Sequence, residues 1–372
     1  MPEKTLKIAL VGAASLLGKA LNDELANSAF ATADFHLMDE EDETGKLAAA
    51  ADEATFIQRI EPDSFDNCDF TFFAGQREQT LQHWQTALKG GSRIVDLSGA
   101  LEDSPGVMVR APWIQEESLT FSQSPAQIAG PLATPDLQTR AVVSAHPVSV
   151  LLALLAGRSQ RLAHVRGTWA TLLQPASEYG HAALEELHQQ TANLLSFQAM
   201  PTEVFGGQSA FNLAISFGTE GQAHLSKASD TIRRHFAQIA PAAFASLALQ
   251  VIQVPVFHGY ALSIGLEFAQ AVAAGAVANA LAGPHVRIIH HVNEFPGNVQ
   301  AVEEEDVQVL VQPVPPVAPA FAYATSSVAS SDKNETSRYW LWVVADNLKF
   351  AAQNAIACAV ELNRLRPRGG VQ

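Results

Sequence analysis

Cysteine is nearly absent: Cys68 and Cys358 are the only two in 372 residues. Two thiols so far apart make no disulfide framework and fit a reducing cytoplasm. Basic residues are scarce as well, 23 Lys plus Arg against 38 Asp plus Glu, for a formal charge of -15. Such a balance repels phosphate backbones and anionic lipid surfaces alike, which argues against nucleic acid as a partner. There is no apolar run fit to cross a bilayer, since the longest, Ala141–Ala156, is interrupted by His146 and Pro147. Pro2-Glu-Lys-Thr leads straight into a strand-like run, with no basic segment followed by an apolar one. A secretory leader is therefore not expected, and the location read from the sequence is cytoplasmic.

What the chain has in quantity is apolar side chain, 48% against 16% charged, enough to build two domains with separate cores. Lys7–Val11 is a compact strand-like run, followed by Gly12-Ala-Ala-Ser-Leu-Leu-Gly18 and a helical pattern over Lys19–Asn27 with Leu21 and Leu25 on one face. Phe35–Met38, Phe70–Phe73 and Arg93–Leu97 read as further strands, the last after a helix around Thr80–Leu88. Alternation at this pitch predicts a doubly wound parallel sheet of the α/β class. Beyond Pro147 the alternation is lost. A buried helix over Val150–Ala156 is followed by a strand, Thr168–Leu173, and a helix, His181–Leu195, with Leu184, Leu187, Thr191 and Leu195 on its apolar side. A polar helix over Ser229–Ile239 and strands at Leu249–Phe257 and Leu262–Phe268 complete an expected α+β domain on an antiparallel sheet. Residues 312–337, Pro-rich at the start and Ser/Thr/Asp/Asn-rich later, read as an exposed connection. Tyr339–Val344 then gives a strand, and Ala345–Asn347 caps a helix whose buried face is Leu348, Ala352, Ala355, Ile356, Ala359, Val360 and Leu362.

Several ordered motifs carry a resemblance. Gly12–Gly18 stands where a Gly-x-x-Gly-x-x-Gly turn is usual, Phe72-Phe-Ala-Gly75 resembles Phe-x-Ala-Gly-Gly, and Asp96-Leu-Ser-Gly-Ala100 resembles Asp-x-Ser-x-Ala-Phe. Ala183-Leu-Glu-Glu-Leu187 with Gln190-Thr191 is similar to an interface-helix signature, and Leu341-Trp-Val-Val-Ala-Asp-Asn-Leu348 is close to residue for residue. These patterns identify the chain as a member of the aspartate-semialdehyde dehydrogenase family, an enzyme family of amino-acid biosynthesis, most similar to its Usg-type paralogues. The resemblance implies a Rossmann-like first domain at 1–145 plus 343–372, completed by the C-terminal helix. It implies an α+β dimerisation and former catalytic domain at 146–342, and a homodimer.

The departures lie at the chemistry. The family's Asn-Pro-Asn-Cys-Ser/Thr is matched by His146-Pro-Val-Ser149, which puts Ser149, or Val148 with a shift of one, at the nucleophile. Its Arg-Val-Pro-Val-x-x-Gly-His-Ser is matched by Gln253-Val-Pro-Val-Phe-His-Gly-Tyr260, with Tyr260 at the base and Gln253 at the arginine that grips the substrate carboxylate. Acyl transfer from an aldehyde through a thioester needs a thiolate, and a serine hydroxyl is a far weaker nucleophile. A tyrosine with a reference pKa of about 10 is poorly matched to a base's work at neutrality. Glutamine supplies neither the charge nor the fork of a guanidinium. His258, two residues before Tyr260 and expected on the same strand face, is displaced by roughly 6 to 7 Å, too far to serve the same nucleophile. A Glu/Lys pair of the family is also missing, with Ala223 or His224 and Ser226 in those places. No catalytic residue is therefore assigned.

By the same resemblance the cofactor candidates are Gly12, Ser15, Leu16, Gly18, Asp39, Ala74, Gly75, Ser98 and Asn347. Ser15 replaces the middle glycine, where its side chain is expected to crowd a pyrophosphate. Asp39-Glu-Glu-Asp-Glu43 repels a ribose 2′-phosphate, which disfavours NADP and makes Asp39 the candidate for the ribose hydroxyls of NAD. The same residues also fit a solvated acidic loop beside a cleft that takes no dinucleotide, and both readings stand. Ser98-Gly99 is also an ordinary turn, and Asn347 also a helix cap. His181, Glu185 and His188 share a helix face and His290-His291 are adjacent, but no complete metal set is expected. Both cysteines read as inert core thiols. Three functions remain: a catalytically silent family member acting in a binding or regulatory role, an NAD(P)-dependent oxidoreductase on another small aldehyde or oxo compound using direct hydride transfer, and a partner subunit associated with a true family enzyme.

Overall fold

The computed structural model describes residues 5–365 apart from 41–42, 46, 51–52, 121–133, 218–220, 241–246, 295 and 316–334. In chain order its elements are β1 (Lys7–Val11), α1 (Leu16–Ala26), β2 (Asp34–Asp39), β3 (Leu47–Ala50), β4 (Glu53–Phe56), β5 (Gln58–Arg59), β6 (Phe70–Phe73), α2 (Arg77–Lys89), β7 (Arg93–Asp96), β8 (Met108–Arg110), α3 (Pro112–Thr120), β9 (Ala141–Ser144) and α4 (Pro147–Leu162). There follow β10 (Val165–Gln174), α5 (Gly180–Leu195), α6 (Leu225–Ile239), β11 (Leu247–Gln253), β12 (Tyr260–Ala273), α7 (Ala274–Leu281), β13 (Val286–Ile289), α8 (Asn298–Ala301), β14 (Val307–Pro313), β15 (Glu335–Ala345) and α9 (Asn347–Arg364).

By residue contacts the chain divides into Met1–Val150 with Leu348–Gln372, and Leu151–Asn347. Each limit falls five residues beyond the one drawn from sequence. The first unit holds a seven-stranded sheet in the order β5-β2-β1-β6-β7-β9-β8, with every pairing parallel. Runs that are apolar apart from Thr71, such as Ile8–Val11 and Phe70–Phe73, are what a sheet covered on both faces needs, and all of those residues have 0% exposure. The last helix completes this unit. Ala352, Ala355, Cys358, Ala359 and Leu362 pack in one cluster with Ile8, Leu10, Phe70 and Phe72, so chain ends far apart in sequence share a core.

The second unit is built on a six-stranded sheet, β11-β10-β12-β15-β14-β13. It is mixed, which corrects the expectation of an antiparallel sheet: β10 with β11 and β13 with β14 run parallel. The reason is the connections. β11 follows β10 only after α5 and α6, and β14 follows β13 through α8, crossovers that return the chain in the same direction. The ends of the expected connection at 312–337 are strand, in β14 and β15, while 316–334 lies outside the described residues. On α5 the buried positions are Ala183, Glu186, Leu187 and Gln190, whereas Leu195 is 70% exposed, so the stripe drawn from leucines alone misses the buried face.

Candidate functional site

In the first unit the Gly12–Gly18 turn joins β1 to α1 at the carboxyl edge of the parallel sheet. Gly12 has φ +80°, and a Cβ placed on it would lie 2.3 Å from the Gly75 nitrogen; a Cβ on Gly18 would lie 2.1 Å from the Gly12 oxygen. These glycines are needed because backbone touches backbone, at Gly12 between the turn and the segment after β6 and at Gly18 within the turn itself. Ser15 does not project outward. Its hydroxyl donates to Ala74 O at 2.9 Å and accepts from Gly18 N–H at 2.8 Å, making it the N-cap of α1, whose first residue is Leu16.

Asp39, the last residue of β2, is 7% exposed and turned toward the turn. One carboxylate oxygen accepts from Ala14 N–H at 2.8 Å; the other accepts from Glu40 N–H at 2.9 Å and from the Gln79 side-chain amide at 3.0 Å. As arranged, this carboxylate does not fit a ribose that needs both of its oxygens. Ser98, after β7, donates to Asp96 at 2.6 Å and shares a hydrogen bond of 2.9 Å with Thr80. Burial pushes the Asp96 carboxyl up, against the hydrogen bonds it accepts from Ser98 and from Leu101 N–H. Gly12, Ser15, Leu16, Gly18, Asp39, Ala74, Gly75 and Ser98 therefore gather along one sheet edge, at the ends of β1, β2, β6 and β7.

At the start of α4, His146 caps the helix through its imidazole, with Nδ1 accepting from Val148 N–H at 3.2 Å. Val148 and Ser149 follow in the first turn, both with 0% exposure, so neither meets solvent. The two cysteines are elsewhere in the first unit. Cys68 precedes β6, at the edge of the sheet opposite to the Gly12 turn, and Cys358 is in the core face of α9. Burial raises both thiols above their usual range, which keeps them protonated.

In the second unit Tyr260 opens β12 and is 1% exposed, its hydroxyl donating to Glu178 Oε2 at 2.6 Å. Burial, and then the Glu178 carboxyl, push the phenol well above its ordinary value near 10. Sequence reasoning missed Glu178; a carboxylate three residues before the α5 pattern gave no sign of a partner 82 positions away. Gln253 ends β11 at 1% exposure, its side-chain oxygen accepting from Gln174 at 3.4 Å and its amide donating to Val254 O at 3.2 Å. Asn347 is 2% exposed and belongs to this unit: its oxygen accepts from Gly259 N–H at 3.0 Å and its amide donates to Ser177 at 3.0 Å. His258 is not on the strand, correcting the assumption that it shares a face with Tyr260. β12 begins at Tyr260, and Gly259 with φ +83° breaks the alternation between them. At the positions of the missing charged pair, Ala223 is buried and Ser226 exposed. Among the described residues no group of three or more His, Cys, Asp or Glu lies close enough to hold a metal, and no helix is long and apolar enough to cross a membrane.

Comparison with known proteins agrees with this geometry. Residues 7–135 match the family description "Semialdehyde dehydrogenase, NAD binding domain", and residues 159–350 match "Semialdehyde dehydrogenase, dimerisation domain". The chain is 30% identical over 282 residues to a USG-1 protein homolog of Pseudomonas aeruginosa, covering 74% of this chain and 78% of that one. It is 26% identical to a USG-1 protein homolog of Azotobacter vinelandii over 95% of this chain and 96% of the other. In fold it is similar to the crystal structure of aspartate semialdehyde dehydrogenase II from Vibrio cholerae, with TM-score 0.76, 20% identity and 97% and 99% of the two chains covered.

Proposed function

Because the chain belongs to the semialdehyde dehydrogenase family, we propose that it keeps the family's fold and dimer while having given up thioester chemistry, and that it acts as a binding or regulatory protein. The observation that carries this reading is the state of the nucleophile position: Ser149 is wholly buried, and the two thiols of the chain are protonated core residues. Tyr260 supports it from the base position, since a phenol that keeps its own proton near neutral pH cannot take another from a nucleophile. The same burial weighs against direct hydride transfer with Tyr260 as proton donor to a bound substrate.

Any dinucleotide taken by the first unit is NAD rather than NADP, because Asp39, Glu40 and Glu43 place carboxylates where a 2′-phosphate would have to sit. The cytoplasm, reducing enough for two free thiols, is the location we assign. The homodimer forms through the second unit. Two tryptophans, Trp169 and Trp340, meet edge to face at 6.0 Å on one side of its sheet, 36% and 41% exposed, a half-covered aromatic pair of the kind enriched at interfaces.

The test is turnover. Purified protein incubated with aspartate semialdehyde, phosphate and either NAD or NADP is expected to reduce no cofactor above a protein-free blank. Cofactor reduction that disappears in Ser149→Ala would overturn the proposal.

A further inference from the structure

At the nucleotide cleft one residue that no motif pointed to holds three elements together. Gln79 lies in the first turn of α2, 7% exposed, and its side-chain amide donates to Asp39 at 3.0 Å. Its side-chain oxygen lies 1.9 Å from where a Cβ on Gly75 would be, so the carboxamide rests on the bare Gly75 backbone. Gly75 in turn touches Gly12, and Asp39 holds Ala14 N–H, which closes a ring through the ends of β1, β2 and β6. That ring occupies the crevice at the carboxyl ends of a doubly wound sheet, where a dinucleotide lies and where an acid ending the second strand receives the ribose hydroxyls.

A carboxylate has about four lone-pair sites. Ala14, Glu40 and Gln79 use three of them on Asp39, leaving room for one donor where a ribose diol brings two. The two backbone donors belong to the fold of the turn. The Gln79 amide does not; it is a neutral donor on a side chain with rotatable bonds, and it offers Asp39 what a ribose hydroxyl would offer.

The geometry points to Gln79 as an internal stand-in for the ribose of NAD, a latch that a dinucleotide must displace from Asp39 before it can seat. This rests on the reading that the first unit retains the family's nucleotide cleft, and it names the residue that sets the cleft's affinity. The latch acts on adenine dinucleotides with free ribose hydroxyls, since a 2′-phosphate gains nothing from an unmasked Asp39.

Calorimetric titration of the wild-type protein, Gln79→Ala, Asp39→Asn and the double variant with NAD, and separately with NADP, tests it. Gln79→Ala is expected to bind NAD about tenfold or more tightly than wild type, the factor set by one hydrogen bond to a charged group. No such gain is expected for NADP, and the gain should vanish when Asp39→Asn is added. Equal NAD affinity of wild type and folded Gln79→Ala, including no binding by either, overturns the proposal, as does a gain that survives Asp39→Asn. Gln79→Ser serves where the alanine variant does not fold. In the wild-type protein the side-chain NH2 resonances of Gln79 are expected to shift on addition of NAD, and their constancy up to the highest NAD concentration also overturns it. Semialdehyde turnover by the wild type would sink the preceding proposal and leave this one untouched, because the readout here is binding.

Discussion

At the residue level Tyr260 acts as a tether. A buried phenol bonded to Glu178 at 2.6 Å ties the first residue of β12 to the short 3-10 helix Ala176–Tyr179 before α5, a connection that a solvent-facing base would not make. Tyr260→Phe keeps the ring and its packing but leaves the carboxyl without that donor. The expected cost is about 1–3 kcal/mol in denaturant unfolding, with no dependence on any added semialdehyde. A change below the error of the measurement would mean the hydrogen bond has little weight in the fold. Ser149 is likewise buried, with 0% exposure in the first turn of α4.

At the level of elements, α5 is held by polar side chains where its leucine spacing pointed to apolar ones. Glu186 accepts from Val204 N–H at 2.6 Å and Phe205 N–H at 3.0 Å, and one turn on Gln190 accepts from Ser209 and Ala210 N–H while donating to Pro201 O and Gly207 O. These two side chains serve as the hydrogen-bond partners of a segment, residues 201–210, that lies outside helix and strand. Glu186→Ala strands two buried amides, so roughly 2–4 kcal/mol of stability should be lost, and hydrogen exchange at Val204 and Phe205 should quicken while Leu187 stays protected. Unchanged exchange at those two amides would refute the assignment. The spacing of Leu184 and Leu187 located α5 to within a residue, yet it could not reveal that its buried face is half polar, because the amides it serves come from a different stretch of chain. His258 failed in the same way. Its place two residues before Tyr260 reads as one strand face, and only the left-handed backbone of Gly259 shows the strand starting later.

For the whole molecule the decisive feature is the return of α9 to the first unit, where Arg110 pairs with Glu361 at 2.6 Å and Arg93 donates to Leu362 O. Cys358 sits within that return, fully buried, its thiol raised by burial above the usual value near 9. The raised folded value means that both states keep the proton below pH 9 and that only the unfolded chain loses it above. Stability is therefore fully present at neutral pH and falls as pH rises past 9, by about 1.4 kcal/mol per pH unit from this group. Cys358→Ala should flatten the alkaline slope of the unfolding free energy by that amount, whatever it does to stability at pH 7. An identical slope in the variant would show the thiol to be ionisable in the folded protein.

Period and punctuation in the chain were enough to determine the parallel sheet of the first unit, the glycine turn, the helix that closes it and the presence of Ser149, Tyr260 and Gln253 in their motifs, since each depends on residue type and spacing over a few positions. The direction of β11 and β13, the burial of Ser149, the grip of Glu178 on Tyr260 and of Gln79 on Asp39 were decided only by the folded chain. The two side-chain contacts join residues 40 and 82 positions apart, and which donors reach a carboxylate is a matter of geometry across elements that no local pattern records.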